Sequence, residues 1–492
     1  MAVRGALSPN DALWLNMDTP ENLMVIESVL WFDHPLDPDA VVRVLGERLV
    51  DRYPIFTWRP EGSDTMLGLD HWVDDELFAM ARHVHVHDLG GAGGRVELQE
   101  FLEEQMAIAL PRDRPLWQAH IVQGIGFGAL VMRFHHAIAD GTALARVLIE
   151  LTTDEPDEPP RTTGPMAGGG EGWALPVGPP VRSERTPLQR DARALTDRIG
   201  HSVVRLATLP LAAGVALTSR AAGVLRTLGA ERVAGLAGRV ADTALGTADA
   251  VDKLVVGTPP DVLFFGVPGR VKRADWAPAL DLQEVKRVAR AHGATVNDVM
   301  LAAVSGALRR YQLGRGEVPQ DVVTMIPVNL RPPDQPLPPH LGNKFALVAV
   351  ELPLAEPTPR ARLAAAKERM DVVKAGPEPL LTFGLSHAIG AMGAISGLAS
   401  RLLIEFFSNK AIGVTTNVPG PLGSRYFAGE ELVGPLGWVP GAARQAIGVS
   451  IISYNGQIRV GFKTDAHVVP DTANLVAAYL EEMADLMAEI PE

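Results

Sequence analysis

Two hydrophobic periods alternate along the chain. Leu23–Phe32 (LMVIESVLWF) reads as a strand, whereas Asp37–Tyr53 sets Val41, Val44, Leu45 and Leu49 at helical spacing, with Asp37 or Asp39 available as N-cap. VELQEFLEEQMAIAL (Val96–Leu110) reads as a second amphipathic helix, and WQAHIV (Trp117–Val122) and ALVMRF (Ala129–Phe134) as strands. From about Pro259 the alternation resumes. Leu282–His292 and Asn297–Tyr311 predict helices, DVVTMIPVNL and KFALVAVELP strands, Pro359–Ala375 a helix, and IGVTTNV, AIGVSIISYN and QIRVGFKTD strands. Asn455–Gly456 between the last two predicts a hairpin turn, and a helix over Pro470–Ala488 closes the chain.

The middle of the chain breaks this pattern. Thr152–Pro180 is rich in Pro, Gly and acidic residues, the composition of a mobile linker, and sets a boundary near residue 155. Arg182–Arg239 follows with ten arginines against four acidic residues among Ala, Leu and Val, which predicts basic helices. The expected architecture is α/β (α+β): one half over 1–155, a linker and basic helical insert over 156–258, and a second half over 259–492.

Composition narrows the function. Apolar residues at 47% and charged residues at 21% mark a folded globular chain able to build a large core. The net charge of −13 argues against a nucleic-acid partner, because phosphate neutralisation needs a basic surface. With no cysteine, disulfides, thiolate zinc sites and cysteine nucleophiles are excluded. No secretory h-region opens the sequence, and Leu206–Ser219 is too short for a membrane span and carries Pro210, so the expected compartment is the cytoplasm.

One stretch carries chemistry: VMRFHHAIADGTAL, Val131–Leu144, ends an apolar strand on two histidines. Histidine suits proton transfer near neutrality, and neighbouring residues at a strand end point to opposite faces, so only one of His135 and His136 can address a given cavity. Asp140 can return to brace the loop or pair with a cation, and Gly141 permits a tight backbone path. No Gly-x-Ser-x-Gly occurs, so a histidine base without a nucleophilic side chain points to direct transfer onto an acceptor hydroxyl. HVHVH (His83, His85, His87) sets three imidazoles on one strand face, read as an ordinary solvent-facing strand without a metal.

HHAIADG, PLW (Pro115, Leu116, Trp117), TVNDVMLAAVSGALR (Thr295–Arg309), IPVNLR (Ile326–Arg331), LGNKF (Leu341–Phe345), TTNVPGPLG (Thr415–Gly423) and the opening LSPNDALWL together resemble the bacterial wax ester synthase/diacylglycerol acyltransferase family, in its order and over nearly the whole chain. The resemblance implies two chloramphenicol-acetyltransferase-like domains facing a central tunnel. It implies transfer of a fatty acyl group from acyl-CoA, as substrate and with no cofactor, to diacylglycerol or a long-chain alcohol. His136 would be the general base, His135 and Asp140 would shape its loop, Gly141 would allow the turn, and Asn297 would steady the developing oxyanion. Asp298, Pro115, Leu116, Trp117, Asn417, Pro419 and Gly420 would contribute to substrate binding, and Arg331 would meet a carboxylate or phosphate.

Two segments depart from the family pattern. NLMVIESVLWFD lacks the more frequent histidine, and FFGVPGRVKRADW replaces an asparagine-glycine-proline run, which leaves acceptor preference open. The basic insert either binds an anionic membrane or lipid-droplet surface, at the inner face of the plasma membrane, or packs between the halves. Two other readings stand beside the acyltransferase: a condensation-type or polyketide-associated enzyme using carrier-bound acyl groups, and a non-catalytic lipid-binding or droplet-coating protein.

Overall fold

Alternating and fully apolar runs become strands, and the 3.6-period runs become helices. The computed structural model describes residues 3–62, 70–90, 94–156, 263–331, 335–375 and 410–490. The first half contains β1 (Val3–Ala6), α1 (Pro9–Met17), β2 (Val25–Phe32), α2 (Pro38–Val44), β3 (Trp58–Glu61), β4 (His71–Asp74), β5 (Val84–Asp88), α3 (Arg95–Met106), β6 (Trp117–Gln123), β7 (Gly128–His135) and α4 (Gly141–Glu150). The second contains β8 (Lys272–Trp276), β9 (Leu280–Asp281), α5 (Leu282–Ala291), α6 (Val296–Gly314), β10 (Val322–Asn329), β11 (Phe345–Leu352), α7 (Pro359–Ala375), β12 (Gly413–Pro419), β13 (Tyr426–Phe427), β14 (Glu430–Trp438), β15 (Ile447–Tyr454), β16 (Gln457–Asp465) and α8 (Thr472–Ala488).

Local chemistry accounts for several boundaries. Asp37, rather than Asp39, caps α2, because Pro38 takes the first helical position, and a π-helical turn over Leu45–Val50 carries the helix onward. Asn455 at φ 46° and Gly456 at φ 74° make the two-residue turn between β15 and β16 that the Asn-Gly pair predicts. The basic insert and all of the linker beyond Pro156 lie outside the described residues. The described start of that linker is held, since the backbones of Thr153 and Tyr426 exchange hydrogen bonds of 2.9 Å in both directions.

Among the described residues three sheets form: β1-β4-β3, a sheet β13-β14-β2-β7-β6-β5, and a sheet β11-β10-β12-β15-β16-β8 with β9 paired to β16. The halves are not closed units. β13 and β14 leave the second half and extend the first half's sheet, β14 running antiparallel to β2 with Pro435 opposite Leu30 and Trp438 opposite Glu27. Sequence patterning shows no strand there, because Gly434, Pro435 and Gly437 interrupt it. Gly434 leaves room for the Arg459 guanidinium, whose carbon would lie 2.3 Å from a Cβ built there.

β7 is buried along its whole length. Leu130, Met132 and Phe134 join the core that includes Leu144 and Val147 of α4, while Ala129 and Val131 pack with Leu98 and Leu102 of α3. In the second half, α5, α6, α7 and α8 share a core with β10, β11, β15 and β16. The last residue of β7 is His135, so the strand delivers the paired histidines to the end of a doubly covered sheet.

HVHVH is not the solvent-facing strand expected. Although β5 is an edge strand, His83 and His87 are buried. His83 stacks on Trp117 with ring centroids 4.7 Å apart, and His87 Nε2 lies 3.0 Å from His120 Nδ1. Burial lowers His83 and His87 to about 4.

Candidate active site

The backbone at the end of β7 is pinned from two sides. The His135 amide donates to Leu116 O at 3.0 Å, and the His136 amide to Met24 O at 2.7 Å. The two side chains then diverge, as strand geometry requires. His135 Nδ1 accepts the Ala137 amide at 3.1 Å, and its Nε2 lies 3.7 Å from Asp18 Oδ2. Burial alone would raise Asp18, but His135, the Met24 amide and Arg112 outweigh it and hold the carboxyl below its ordinary value.

His136 meets a different set. Its ring stacks on Trp14 of α1 with centroids 3.7 Å apart, Phe345 lies 5.6 Å away, and Nδ1 is 3.0 Å from Asn343 Oδ1. Among the described residues Nε2 has no hydrogen-bond partner. Burial lowers the ring to about 4, against the opposing pull of Asp140, of the residue's own backbone carbonyl and of Asn343, so the imidazole is neutral at physiological pH. His136 retains 6% exposure, less open than a base lining a wide tunnel, because Trp14 covers one face.

Asp140 ties the histidine loop to the second half. Its Oδ1 accepts the Ala143 amide at 2.9 Å as N-cap of α4, and its Oδ2 accepts the Lys344 amide at 2.9 Å and pairs with Arg331 Nη1. Arg331 Nη2 also donates to the carbonyls of Leu341 and Gly342, two successive residues at φ 48° and 74°. Arg331 therefore has its carboxylate inside the protein, in a pair whose side chains are 9% and 2% exposed, and is a positioning residue in place of the substrate contact expected of it.

Gly141 also differs from expectation. It does not adopt a left-handed conformation, and a Cβ there would meet nothing within 4 Å. It is the first residue of α4 and lines a cavity of about 100 Å3 together with Phe134, Leu144, Leu148, Val418 and Ile452. The cavity lies where the two sheets approach, with β2, β7 and β14 on one side and β12 and β15 on the other. Gly420 lines it too, and its lack of a Cβ is required, since that atom would fall 2.3 Å from Ser453 O.

Pro115, Leu116 and Trp117 are buried in the first half's core, where Trp117 Nε1 donates to Phe56 O at 2.8 Å. They scaffold the loop through the Leu116 carbonyl and do not line the cavity. Asp298 is likewise structural: it forms a reciprocal capping box with Thr295 at the start of α6 and is fully buried. Asn297 and Asn417 do come together, the Asn417 amide donating to Asn297 Oδ1 at 3.0 Å. Thr416, Val418 and Gly420 line the cavity, so the alternate positions Asn417 and Pro419 face away from it. β10, β12 and β15 run parallel, and Phe345, whose ring lies near His136, pairs with Asn329 at the end of β10.

Asn343, Asp11, Trp14 and Phe345 were not singled out by sequence reasoning. The signal was present, since LSPNDALWL and LGNKF contain them, and Asp11 and Trp14 are three apart on one helical face.

Comparison with known proteins gives family matches over most of the chain. Residues 7–300 match the model of the wax ester synthase/diacylglycerol acyltransferase catalytic domain, and residues 341–487 that of the WS/DGAT C-terminal domain. A Mycobacterium tuberculosis protein bearing the name diacylglycerol O-acyltransferase is 29% identical over 98% of this chain and 90% of its own. Another from that organism is 29% identical over 97% and 96%. The wax ester synthase/diacylglycerol acyltransferase structure from Marinobacter aquaeolei superposes with a TM-score of 0.63 at 21% identity, covering 99% of each chain. The first condensation domain of the calcium-dependent antibiotic synthetase gives 0.58 at 18%, covering 100% and 98%. At those identities the structures speak for the fold: the facing α/β arrangement of chloramphenicol-acetyltransferase-like enzymes.

Proposed function

The chain belongs to the wax ester synthase/diacylglycerol acyltransferase family, and from that premise we propose that His136 is the general base of a direct transfer from acyl-CoA to a lipid hydroxyl. The protein is an O-acyltransferase that moves a fatty acyl group to diacylglycerol, a long-chain alcohol or both. The observation that supports the base is a neutral imidazole at the strand end whose Nδ1 is engaged by Asn343 while Nε2 has no partner among the described residues.

In this reading the acceptor oxygen attacks the thioester carbonyl carbon as Nε2 takes the hydroxyl proton, the C–S bond then breaks, and the departing CoA thiolate recovers that proton from the imidazolium. A ring held low by burial returns a proton readily. Asn297, with Oδ1 engaged by Asn417, retains its amide hydrogens for the carbonyl oxygen, a contribution of about 3 kcal/mol where such donors are well placed. The apolar cavity, which Gly141 and Phe134 line beside the histidine loop and His136 itself does not, is the proposed acyl site, where each buried methylene is worth about 0.8 kcal/mol. The sequence of bonds needs no cofactor. The condensation-type alternative shares the fold, but the family match favours the lipid enzyme.

The test is ester formation from radiolabelled palmitoyl-CoA with hexadecanol and, separately, dipalmitoylglycerol. His136→Ala is expected to lose about 10²–10⁴-fold; equal product from both proteins would remove the assignment.

We place the enzyme at a lipid surface, where its substrates partition. No helix among the described residues is long and apolar enough to cross a membrane, so this reading assigns attachment to the basic segment Arg182–Arg239. Flotation with anionic liposomes checks it: a folded deletion variant that floats as well as the intact protein refutes it.

A further inference from the structure

We infer that Asp11 and Asn343 hold the single ring proton of His136 on Nδ1, so that the lone pair able to accept a substrate proton stays on Nε2. This rests on His136 being the base. The Asn343 side chain makes three contacts: Oδ1 lies 3.0 Å from His136 Nδ1, and Nδ2 donates to Asp11 Oδ1 and to the His136 carbonyl, each at 2.8 Å. A carbonyl oxygen accepts only, as does a carboxylate oxygen, so the amide must turn its nitrogen toward that pair. Turned the other way, it would set Oδ1 against two acceptors in a nearly closed site. With the amide so oriented, its oxygen faces the ring. An amide oxygen cannot donate, so the nitrogen opposite it has to carry the hydrogen.

The first helix supplies Asp11 and Trp14. Ser8 caps α1 by accepting the Asp11 amide at 3.1 Å, which fixes Asp11 in the first turn. Burial pushes the Asp11 carboxyl up, and the Asn343 and Ser8 donors pull it back. Trp14, three residues further on the same face, stacks on the imidazole at an interplanar angle of 20° and sets the rotation of the ring. Helix α1, the LGNKF loop and the HHAIADG loop thus converge on one proton. Asp11, Asn343 and Trp14 are positioning residues: they act on the substrate through the imidazole.

The tautomer is directly observable. In the full chain labelled with 15N-histidine, the His136 ring, assigned by its loss in His136→Ala, is expected to show protonated Nδ1 and unprotonated Nε2 at pH 7. Asn343→Leu is expected to lower kcat about 10–100-fold with KM changed less than about threefold, the size of effect usual when a group orienting a functional imidazole is removed. The acid limb of its pH–rate profile should not move upward, because removing an acceptor from Nδ1–H does not make the ring more basic. Asp11→Asn, which keeps an oxygen for the Asn343 amide, should stay within about threefold of the parent, and Asp11→Leu should fall between the two variants.

A His136 spectrum with the proton on Nε2 overturns the inference, as does a folded Asn343→Leu enzyme with unchanged kcat. Should Asn343→Leu fail to fold, Asp11→Leu decides: unchanged kcat together with an unchanged His136 spectrum overturns the inference. Failure of the base assignment is separate: it appears as undiminished ester formation by His136→Ala, whereas the nitrogen spectrum reports the tautomer whatever the activity.

Discussion

Two groups of buried imidazoles sit in the first half, and only one of them is a catalytic candidate. His83, His87 and His136 are all lowered to about 4 by burial, so a depressed pKa does not tell them apart. Surroundings do. His83 and His120 have no exposed surface, and their unpaired Nε2 atoms are sealed in the core. His136 keeps a little exposure, and its Nδ1 is held by a residue from the other half of the chain. Exposure and one engaged nitrogen do not separate the groups, since His87 is 9% exposed with Nε2 held by His120; the difference is that His136 stands at the strand end where the second half, through Asn343, meets the first. Burial alone yields a packing element.

The comparison is broken most severely by exchanging the roles. His136→Ala should lose about 10²–10⁴ in ester formation, while His87→Gln, which still offers His120 a hydrogen-bond partner, should keep kcat within about twofold. A large loss in His87→Gln with the fold intact would mean that the second group also serves the reaction.

Next in size is the tie that makes His136 special. Arg331→Met leaves the buried Asp140 carboxylate unpaired, and a cost of about 3–5 kcal/mol is expected from loss of one partner of such a pair, read as a lower urea midpoint. Activity should fall with it, because the Leu341 and Gly342 carbonyls lose the same donor.

Acid sharpens the comparison from the other side. The folded chain keeps His83, His87 and His136 neutral down to about pH 4, whereas the unfolded chain protonates them near 6.5. The unfolded state therefore binds more protons between those values, and stability should fall as pH drops from 6.5 toward 4 and be insensitive to these groups above 6.5. His87→Gln should flatten that slope in urea titrations at successive pH values, without altering activity at pH 7. An unchanged slope would show that His87 does not contribute to it.

The smallest effect is at Gly141. Its ordinary backbone and the open space around a built Cβ predict that Gly141→Ala changes stability by less than about 1 kcal/mol, in the favourable direction. The methyl would enter the cavity, so acyl-chain preference should shift more than folding does. A large destabilisation would restore the view that the motif needs this glycine for its turn.

Much of the fold was legible because local patterns are self-contained. The apolar run of β7, the helical stripe of α5 and the Asn-Gly turn before β16 each state their conformation within ten residues. β14 was not legible: Gly434, Pro435 and Gly437 read as a loop, and only β2, offering a free edge from the other half, makes that segment a strand. The site divides likewise. His135, His136 and Asp140 stand in one motif, but Trp117 and Asp298, equally motif-bound, prove to be core and cap, because a motif records that a residue type is needed without saying which neighbour needs it.

The sequence by itself determined many of the strands and helices, the histidine that could take a proton and, through its resemblance to a family, the reaction class, since periodicity and motifs are written within short stretches of chain. Tertiary structure alone decided that Arg331 serves Asp140, that Asn343 and Asp11 stand behind the imidazole, and that Trp14 covers it. Asp11 and Asn343 are 332 positions apart, and such partners meet only when the two halves close on each other.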